Sequence, residues 1–307
     1  MKALRIREFG TPSHTVIEHE TLAAPGIGQV SVRVEAASVN PLDLKMLAGY
    51  MQPFLPVSFP YTLGTDIAGI VEAVGPLVTR FKPGDRVVGR LEPTAGGGFA
   101  ESAVISAHAL CPISVDMSYE QAAALPTAAG TAWLALFGVG KLAAGQRVLI
   151  HAAAGGVGSF AVQFAKQAGA YVIATASSKN HDLVKALGAD EVIDYRHEDF
   201  STLLRDIDLV IDSIGGETTE RTWRVVKSGG TLVSLVDHTI KGRGDVHGAM
   251  TYFLHDAAAL DGIVKLFEAK RLQVILDTIY PLEDARTALE QVANSHARGK
   301  VIIQTSH

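Results

Sequence analysis

The run His151-Ala152-Ala153-Ala154-Gly155-Gly156-Val157-Gly158 constrains this chain more than any other stretch. It follows an apolar segment, residues 146–152, that reads as a strand. It leads into residues 158–167, where Phe160, Val162, Phe164 and Ala165 fall among polar positions at helical spacing. A pyrophosphate needs backbone N–H groups that it can approach closely and the positive end of a helix dipole. Gly155 permits the close approach, and Gly158 lets the helix pack tightly on a sheet. The usual first glycine of such a turn is replaced by Ala153. A glycine motif alone is weak, because any tight strand–helix turn uses glycine. Here the flanking strand and helix are the required ones, so the run predicts a dinucleotide-binding turn in Ala154, Gly155, Gly156, Val157 and Gly158.

The end of the next strand indicates which dinucleotide. NAD sites place an Asp or Glu there to accept from the ribose 2′-hydroxyl. This chain has Thr175-Ala176-Ser177-Ser178-Lys179 and no acid. Two hydroxyls and an ammonium suit a 2′-phosphate, which an acid would repel. The same serines also suit the cap of a following helix, and both roles are compatible. NADPH is the expected cofactor.

Residues 1–115 read as β-rich. Apolar or alternating runs at 30–36, 67–74, 86–88 and 100–104 are separated by turn signals such as Lys82-Pro83-Gly84-Asp85. From about 118, strands at 146–152, 171–175, 191–194, 209–212 and 230–235 alternate with helical spacing, as in a parallel sheet with right-handed crossovers. Residues 257–269 and 282–293 read as helices and 300–303 as a closing strand. The expected division is 1–117, 118–255 and 256–307. The polar, glycine-rich loop 241–248 holds Arg243-Gly244-Asp245, read as a chance turn.

The 307 residues are 48% hydrophobic and 19% charged, with a formal net charge of −5. That composition suits a compact enzyme, and the absence of any basic block argues against nucleic acid or an anionic membrane as partner. Met1 to Arg7 alternates apolar and charged residues, and no apolar run reaches spanning length, so a cytoplasmic enzyme is expected. Cys111 is the single cysteine. No disulfide and no cysteine-rich zinc site can be built, and Cys111 itself, before Pro112, reads as a buried small hydrophobe. The eleven histidines are scattered without helical ligand spacing, so no metal site is expected.

Several further segments, in order, carry a resemblance: Ser38-Val39-Asn40-Pro41-Leu42-Asp43, Gly64-Thr65-Asp66-Ile67-Ala68-Gly69, Phe81-Lys82-Pro83-Gly84-Asp85-Arg86-Val87, Leu187-Gly188-Ala189-Asp190-Glu191-Val192-Ile193-Asp194-Tyr195 and Arg298-Gly299-Lys300-Val301. With the glycine turn, they make the chain resemble the zinc-independent, zeta-crystallin-like quinone oxidoreductases of the medium-chain dehydrogenase/reductase superfamily. The resemblance implies an α/β fold: a doubly wound Rossmann sheet in the middle, a β-rich GroES-like barrel domain built from both chain ends, and an active site in the cleft between them. Zinc-dependent relatives carry Gly-His-Glu where this chain has Gly64-Thr65-Asp66, so Thr65 stands at the position of the metal-binding His.

The resemblance also assigns residues. Asn40 is expected beside nicotinamide and substrate, and Thr127 and Thr131 near the nicotinamide ribose or phosphates. Ser177, Ser178, Lys179 and Tyr195 would surround the 2′-phosphate. Ser213 would flank the adenine, Ser234, Leu235 and Val236 would position the carboxamide, and Lys300 completes the cofactor set. Thr127 and Ser213 also read as cap or turn residues. Without a zinc Lewis acid the acceptor must already be activated, as quinones and α,β-unsaturated carbonyls are. The developing oxyanion then needs only hydrogen-bond donors, for which Asn40, Lys45 and Tyr50 are the catalytic candidates. Lys45 stands where many quinone reductases have an aromatic, which brings the chain closer to enone and enal reductases; a solvated helix-face lysine is the other reading.

The segment Met46, Met51, Phe54, Leu55 and Phe59, with Pro53, Pro56 and Pro60, reads as a lid over an apolar substrate or as barrel core. Two other functions share this pattern: an enoyl-thioester reductase, and a non-enzymatic NADPH-binding protein of crystallin type. A homodimer is expected, paired through an edge strand in 230–236.

Overall fold

The computed structural model describes residues 1–251, 257–294 and 297–305. These form two compact units. One contains residues 1–127 with the described part of the C-terminal segment, and the other begins at Ala128.

In the first unit, the strand Gln29–Ser38 is the organising element. Val30, Val32 and Val34 are buried, as β-branched residues on a pleated inner face should be. It pairs antiparallel with Asp66–Val74, with Ser102–Ser106 and with the closing strand Lys300–Gln304. The closing strand therefore joins a sheet begun by residues far earlier in the chain. Arg86–Arg90 and Leu110–Pro112 extend the sheet on one side, and Leu276–Pro281 on the other. A separate three-stranded sheet holds Lys2–Ile6 between Val16–His19 and Tyr61–Thr62. One apolar core, with Ile6, Leu63, Ile67, Phe99 and Leu110 fully buried, is completed by Leu282, Ala285, Ala288 and Leu289. The short helix Tyr119–Ala123 belongs to this unit, so the unit runs on past the change of texture at 118.

Cys111 is a buried core residue, and burial pushes its thiol up to about 11. The proline-rich segment divides between the two readings. Met46 and Met51 lie in the core, whereas Phe54 and Phe59 are exposed.

The second unit is built on a six-stranded parallel sheet. Its order is Glu191–Asp194, Tyr171–Ala176, Arg147–Ile150, Ile207–Asp212, Val226–Ser234, His247–Met250. The sheet winds outward both ways from Arg147–Ile150, so the chain reverses direction between that strand and Ile207–Asp212. In such sheets ligands bind outside the carboxyl ends of the strands at this reversal. The α/β fold with a Rossmann sheet is the one expected.

One expectation is corrected. The strand Val226–Ser234 is not an edge, because His247–Met250 pairs with it along 231–234. The pattern hid that outer strand: His247-Gly248-Ala249-Met250 carries neither alternation nor β-branched residues. Among the described residues the two edge strands of the sheet are therefore Glu191–Asp194 and His247–Met250. Residues 252–256 lie outside the described residues. The Arg243-Gly244-Asp245 tripeptide forms an exposed turn closed by reciprocal backbone bonds between Arg243 and Val246. Among the described residues, no helix is long and apolar enough to cross a membrane.

Candidate functional site

The glycine run occupies the turn between the strand Arg147–Ile150 and the helix Gly156–Gln167. Ala152 turns the backbone, with φ of 51°. Its N–H donates to Thr175 Oγ1 at 3.3 Å, and its carbonyl accepts from the Gly155 N–H at 2.9 Å. At Gly158 a Cβ would lie 2.3 Å from the Ala152 oxygen, so only glycine lets the helix start this close to the turn. Gly155 is the N-cap and supplies no side-chain acceptor. The N–H groups of Gly156, Val157 and Gly158 therefore sit at the positive end of a twelve-residue helix without an intrahelical acceptor. Ala154 is buried, while Gly155, Gly156 and Val157 are partly open to solvent. This is a fit for a pyrophosphate.

At the carboxyl end of the neighbouring strand, Ser177 is buried and Ser178 and Lys179 are exposed on the short turn Ser178–Asn180. Tyr195 is exposed, with the Arg196 guanidinium 5.9 Å from its ring centroid. The structure adds an acid that the sequence spacing did not reveal. Ala176 and Asp194 are partners in the parallel ladder, which brings Asp194 beside Ser178. The Asp194 carboxylate accepts from His197 Nδ1 at 2.8 Å and from the Arg196 N–H at 3.1 Å. These bonds, His197 foremost, hold its carboxyl below the usual range. Asp194 thus closes its own turn rather than standing free.

The remaining expected contacts in this unit fall on the ends of other strands or on a helix. Ser213 Oγ donates to the His151 carbonyl at 3.3 Å. Ser234 Oγ accepts from the N–H groups of Val236 and Asp237 at 3.2 and 3.0 Å, and the Leu235 N–H donates to the Asp212 carbonyl at 2.8 Å. Thr131 is half-buried in the helix Pro126–Trp133.

In the first unit, the expected residues meet in a buried polar network. Asn40 lies two residues beyond the strand Gln29–Ser38 and is the N-cap of the helix Pro41–Leu47, with its N–H on Asp43 Oδ2 at 2.8 Å. Its Nδ2 donates to Asp66 Oδ2 at 3.0 Å and to the Ser38 carbonyl at 3.3 Å. Its Oδ1 accepts from Lys300 Nζ at 2.6 Å, and the same ammonium donates to the Val39 carbonyl at 2.9 Å. Asp66 is fully buried and accepts from both the N–H and Oγ1 of Thr127, at 3.0 and 2.7 Å. Arg90 Nε donates to Thr127 Oγ1 at 2.9 Å and lies 3.9 Å from Asp66 Oδ1.

The network has two electrostatic consequences. Burial pushes Asp43 up to about 7, aided by the Asp66 charge, against the Asn40 N–H and the cations Lys300 and Arg90. Burial also lowers the Lys300 ammonium from its ordinary value, against the pull of Asp66 and Asp43. Asp66 and Arg90 were not singled out as site residues. The available signal was a charged pair on apolar strands, Asp66 beginning one and Arg90 ending another. Thr127, expected near the nicotinamide ribose or phosphates, gives both its N–H and its hydroxyl proton to Asp66. Lys300, expected against the cofactor, directs its ammonium to Asn40 and Val39.

Both N–H bonds of the Asn40 amide are thus engaged within this unit. Of the other donor candidates, Lys45 is half-buried on the helix Pro41–Leu47 and Tyr50 is 76% exposed.

Comparison with known proteins agrees with this construction. Residues 26–115 match a family model described as an alcohol dehydrogenase GroES-like domain, and residues 187–303 match one described as a zinc-binding dehydrogenase. The chain is 34% identical to the chloroplastic quinone-oxidoreductase QR1 of Triphysaria versicolor, over 92% of each chain. It is also 34% identical to the mitochondrial NAD(P)H oxidoreductase RTN4IP1 of Bos taurus, over 90% of this chain and 81% of that protein. The chain belongs to the quinone oxidoreductase branch of the medium-chain dehydrogenase/reductase superfamily. Its fold matches the solved Escherichia coli quinone oxidoreductase complexed with NADPH with a TM-score of 0.90, at 27% identity over 99% of this chain and all of that one. Membership makes it an oxidoreductase of the NAD(P)H type, with a nicotinamide dinucleotide as its cofactor.

Proposed function

We propose that the chain is an NADPH-dependent, zinc-free reductase that hands hydride to a quinone or an α,β-unsaturated carbonyl. The observation that carries the reading is the exposed Ser178 and Lys179, one strand over from the uncapped first turn of Gly156–Gln167. The helix end takes the pyrophosphate, and the hydroxyl and ammonium take the dianionic 2′-phosphate. Asp194 ends the strand Glu191–Asp194 and is engaged by His197 and the Arg196 N–H, so no acid stands at the end of Tyr171–Ala176, where NAD selection places one.

The donor set around Thr65 does not suit zinc. Zinc wants thiolate, imidazole or free carboxylate ligands. Here Thr65 Oγ1 is buried without a partner, both Asp66 oxygens are taken by Asn40 and Thr127, and the Lys300 and Arg90 cations lie in the same network. A divalent ion would meet two positive charges there.

The cofactor supplies the hydride chemistry. The chain's part is to hold the pyrophosphate on the Gly156, Val157 and Gly158 N–H groups and to keep Asn40 fixed through Lys300 and Asp66. With the Asn40 N–H groups engaged, the donors left for the developing oxyanion of the acceptor are Lys45 and Tyr50. An acceptor already conjugated to its carbonyl needs no more than such a donor. Consumption of NADPH with a panel of quinones and enones tests the proposal: turnover of at least one class supports it, and none with either class overturns it.

A further inference from the structure

His151 is a buried imidazole at the head of the glycine turn, and no part of the proposed chemistry uses it. Its ring bonds fix its tautomer. Thr222 Oγ1 donates its own proton to the Thr218 carbonyl at 2.7 Å, so it must accept from His151 Nε2, 2.9 Å away. Nδ1 is then the bare nitrogen and accepts the Thr175 hydroxyl proton at 3.2 Å. With its proton committed there, Thr175 Oγ1 presents lone pairs to the Ala152 N–H at 3.3 Å. Burial keeps the ring neutral and the Arg221 charge acts in the same sense, against the Asp212 carboxylate. The Phe200 ring, with centroid 4.7 Å from the imidazole, packs against it.

Ala152 is the residue that needs such a hold. Its left-handed backbone is unfavourable for a residue with a Cβ. Its carbonyl is the group against which Gly155 bonds and Gly158 packs. We propose that His151 and Thr175 are positioning residues that aim the pyrophosphate-binding turn, passing the orientation of the helix Glu217–Thr222 through the imidazole and the Thr175 hydroxyl to Ala152. The inference rests on the reading of this turn as the pyrophosphate site. It adds that a neutral histidine, not a glycine, locks the turn.

The test compares two ligands on the whole protein. NADPH uses the turn; adenosine 2′-monophosphate uses the Ser178–Lys179 end and has no pyrophosphate. Thr175→Val should weaken NADPH binding by ~10-fold, the scale of one lost hydrogen bond, and leave adenosine 2′-monophosphate affinity unchanged. Thr175→Ser, which keeps the hydroxyl, should restore NADPH binding. His151→Phe should reproduce the loss, and the double variant should lose no more than either single one, because both break one chain of bonds. Unchanged NADPH affinity in Thr175→Val, equal losses for both ligands, or additive losses would overturn the proposal. Should Thr175→Val not fold, His151→Phe compared with His151→Asn, which keeps an acceptor for Thr175, decides on the same two ligands. Failure of the unmodified protein to bind NADPH while it binds adenosine 2′-monophosphate would instead overturn the reading of the turn itself.

Discussion

The Lys300 ammonium donates to Asn40 Oδ1 at 2.6 Å, and both side chains are all but fully buried. This bond fixes the amide so that Nδ2 faces Asp66. Lys300→Met should leave the Asn40 carbonyl without its donor and Asp66 with one cation fewer. We expect a loss of about 1–3 kcal/mol of stability, read from urea unfolding. Catalysis should fall beyond what the unfolded fraction explains. Unaltered turnover per folded molecule would mean that the Asn40 orientation is unimportant.

Two buried groups should give the stability opposite pH slopes over the same range. Asp43 is raised from 3.8 to about 7. The folded chain therefore keeps a proton that the unfolded chain has lost, and this contribution is complete below pH 3.8 and gone as pH rises through about 7. His151 is lowered from 6.5 to about 4 by burial. Its contribution is complete above pH 6.5 and lost as pH falls through about 4. Urea unfolding at pH 4.5, 5.5 and 6.5 should show a shallow dependence in the unmodified protein. Asp43→Asn should become steadily more stable with rising pH, and His151→Phe steadily less so. Parallel profiles for the two variants would contradict these assignments.

Ala152 adopts a left-handed backbone, with φ of 51°. Ala152→Gly should relieve about 1 kcal/mol of strain and raise the melting temperature by about 2–4 °C. A lower melting temperature would show that the alanine methyl packs usefully in the turn.

With Val226–Ser234 internal, His247–Met250 is the edge strand next to the segment expected to pair. Light scattering at micromolar concentration should give a mass about twice 32.5 kDa. A Pro in place of Ala249 should lower it toward the single-chain value, since proline removes a ladder donor. A single-chain mass for the unmodified protein would remove the pairing.

What could be read from the residues was local. The strands at Gln29–Ser38 and Arg147–Ile150, and the helix after the glycine run, follow from side-chain period and from the glycines that a tight turn requires. What could not be read was assembled by pairing. Asp194 reaches Ser178 only because its strand aligns with Ala176, and Lys300 reaches Asn40 only because the last strand closes on the first long one. His247–Met250 is too short and too poor in β-branched residues to declare itself. The left-handed turn falls on Ala152, where no glycine marks it.

The cofactor assignment is tested most directly by titrating the protein with NADPH and NADH side by side, following the quench of its own fluorescence. NADPH should bind at least ~10-fold tighter, the scale of a charge-assisted contact between Lys179 and the 2′-phosphate, and Lys179→Glu should shift the preference toward NADH. Equal affinities for the two cofactors would contradict it.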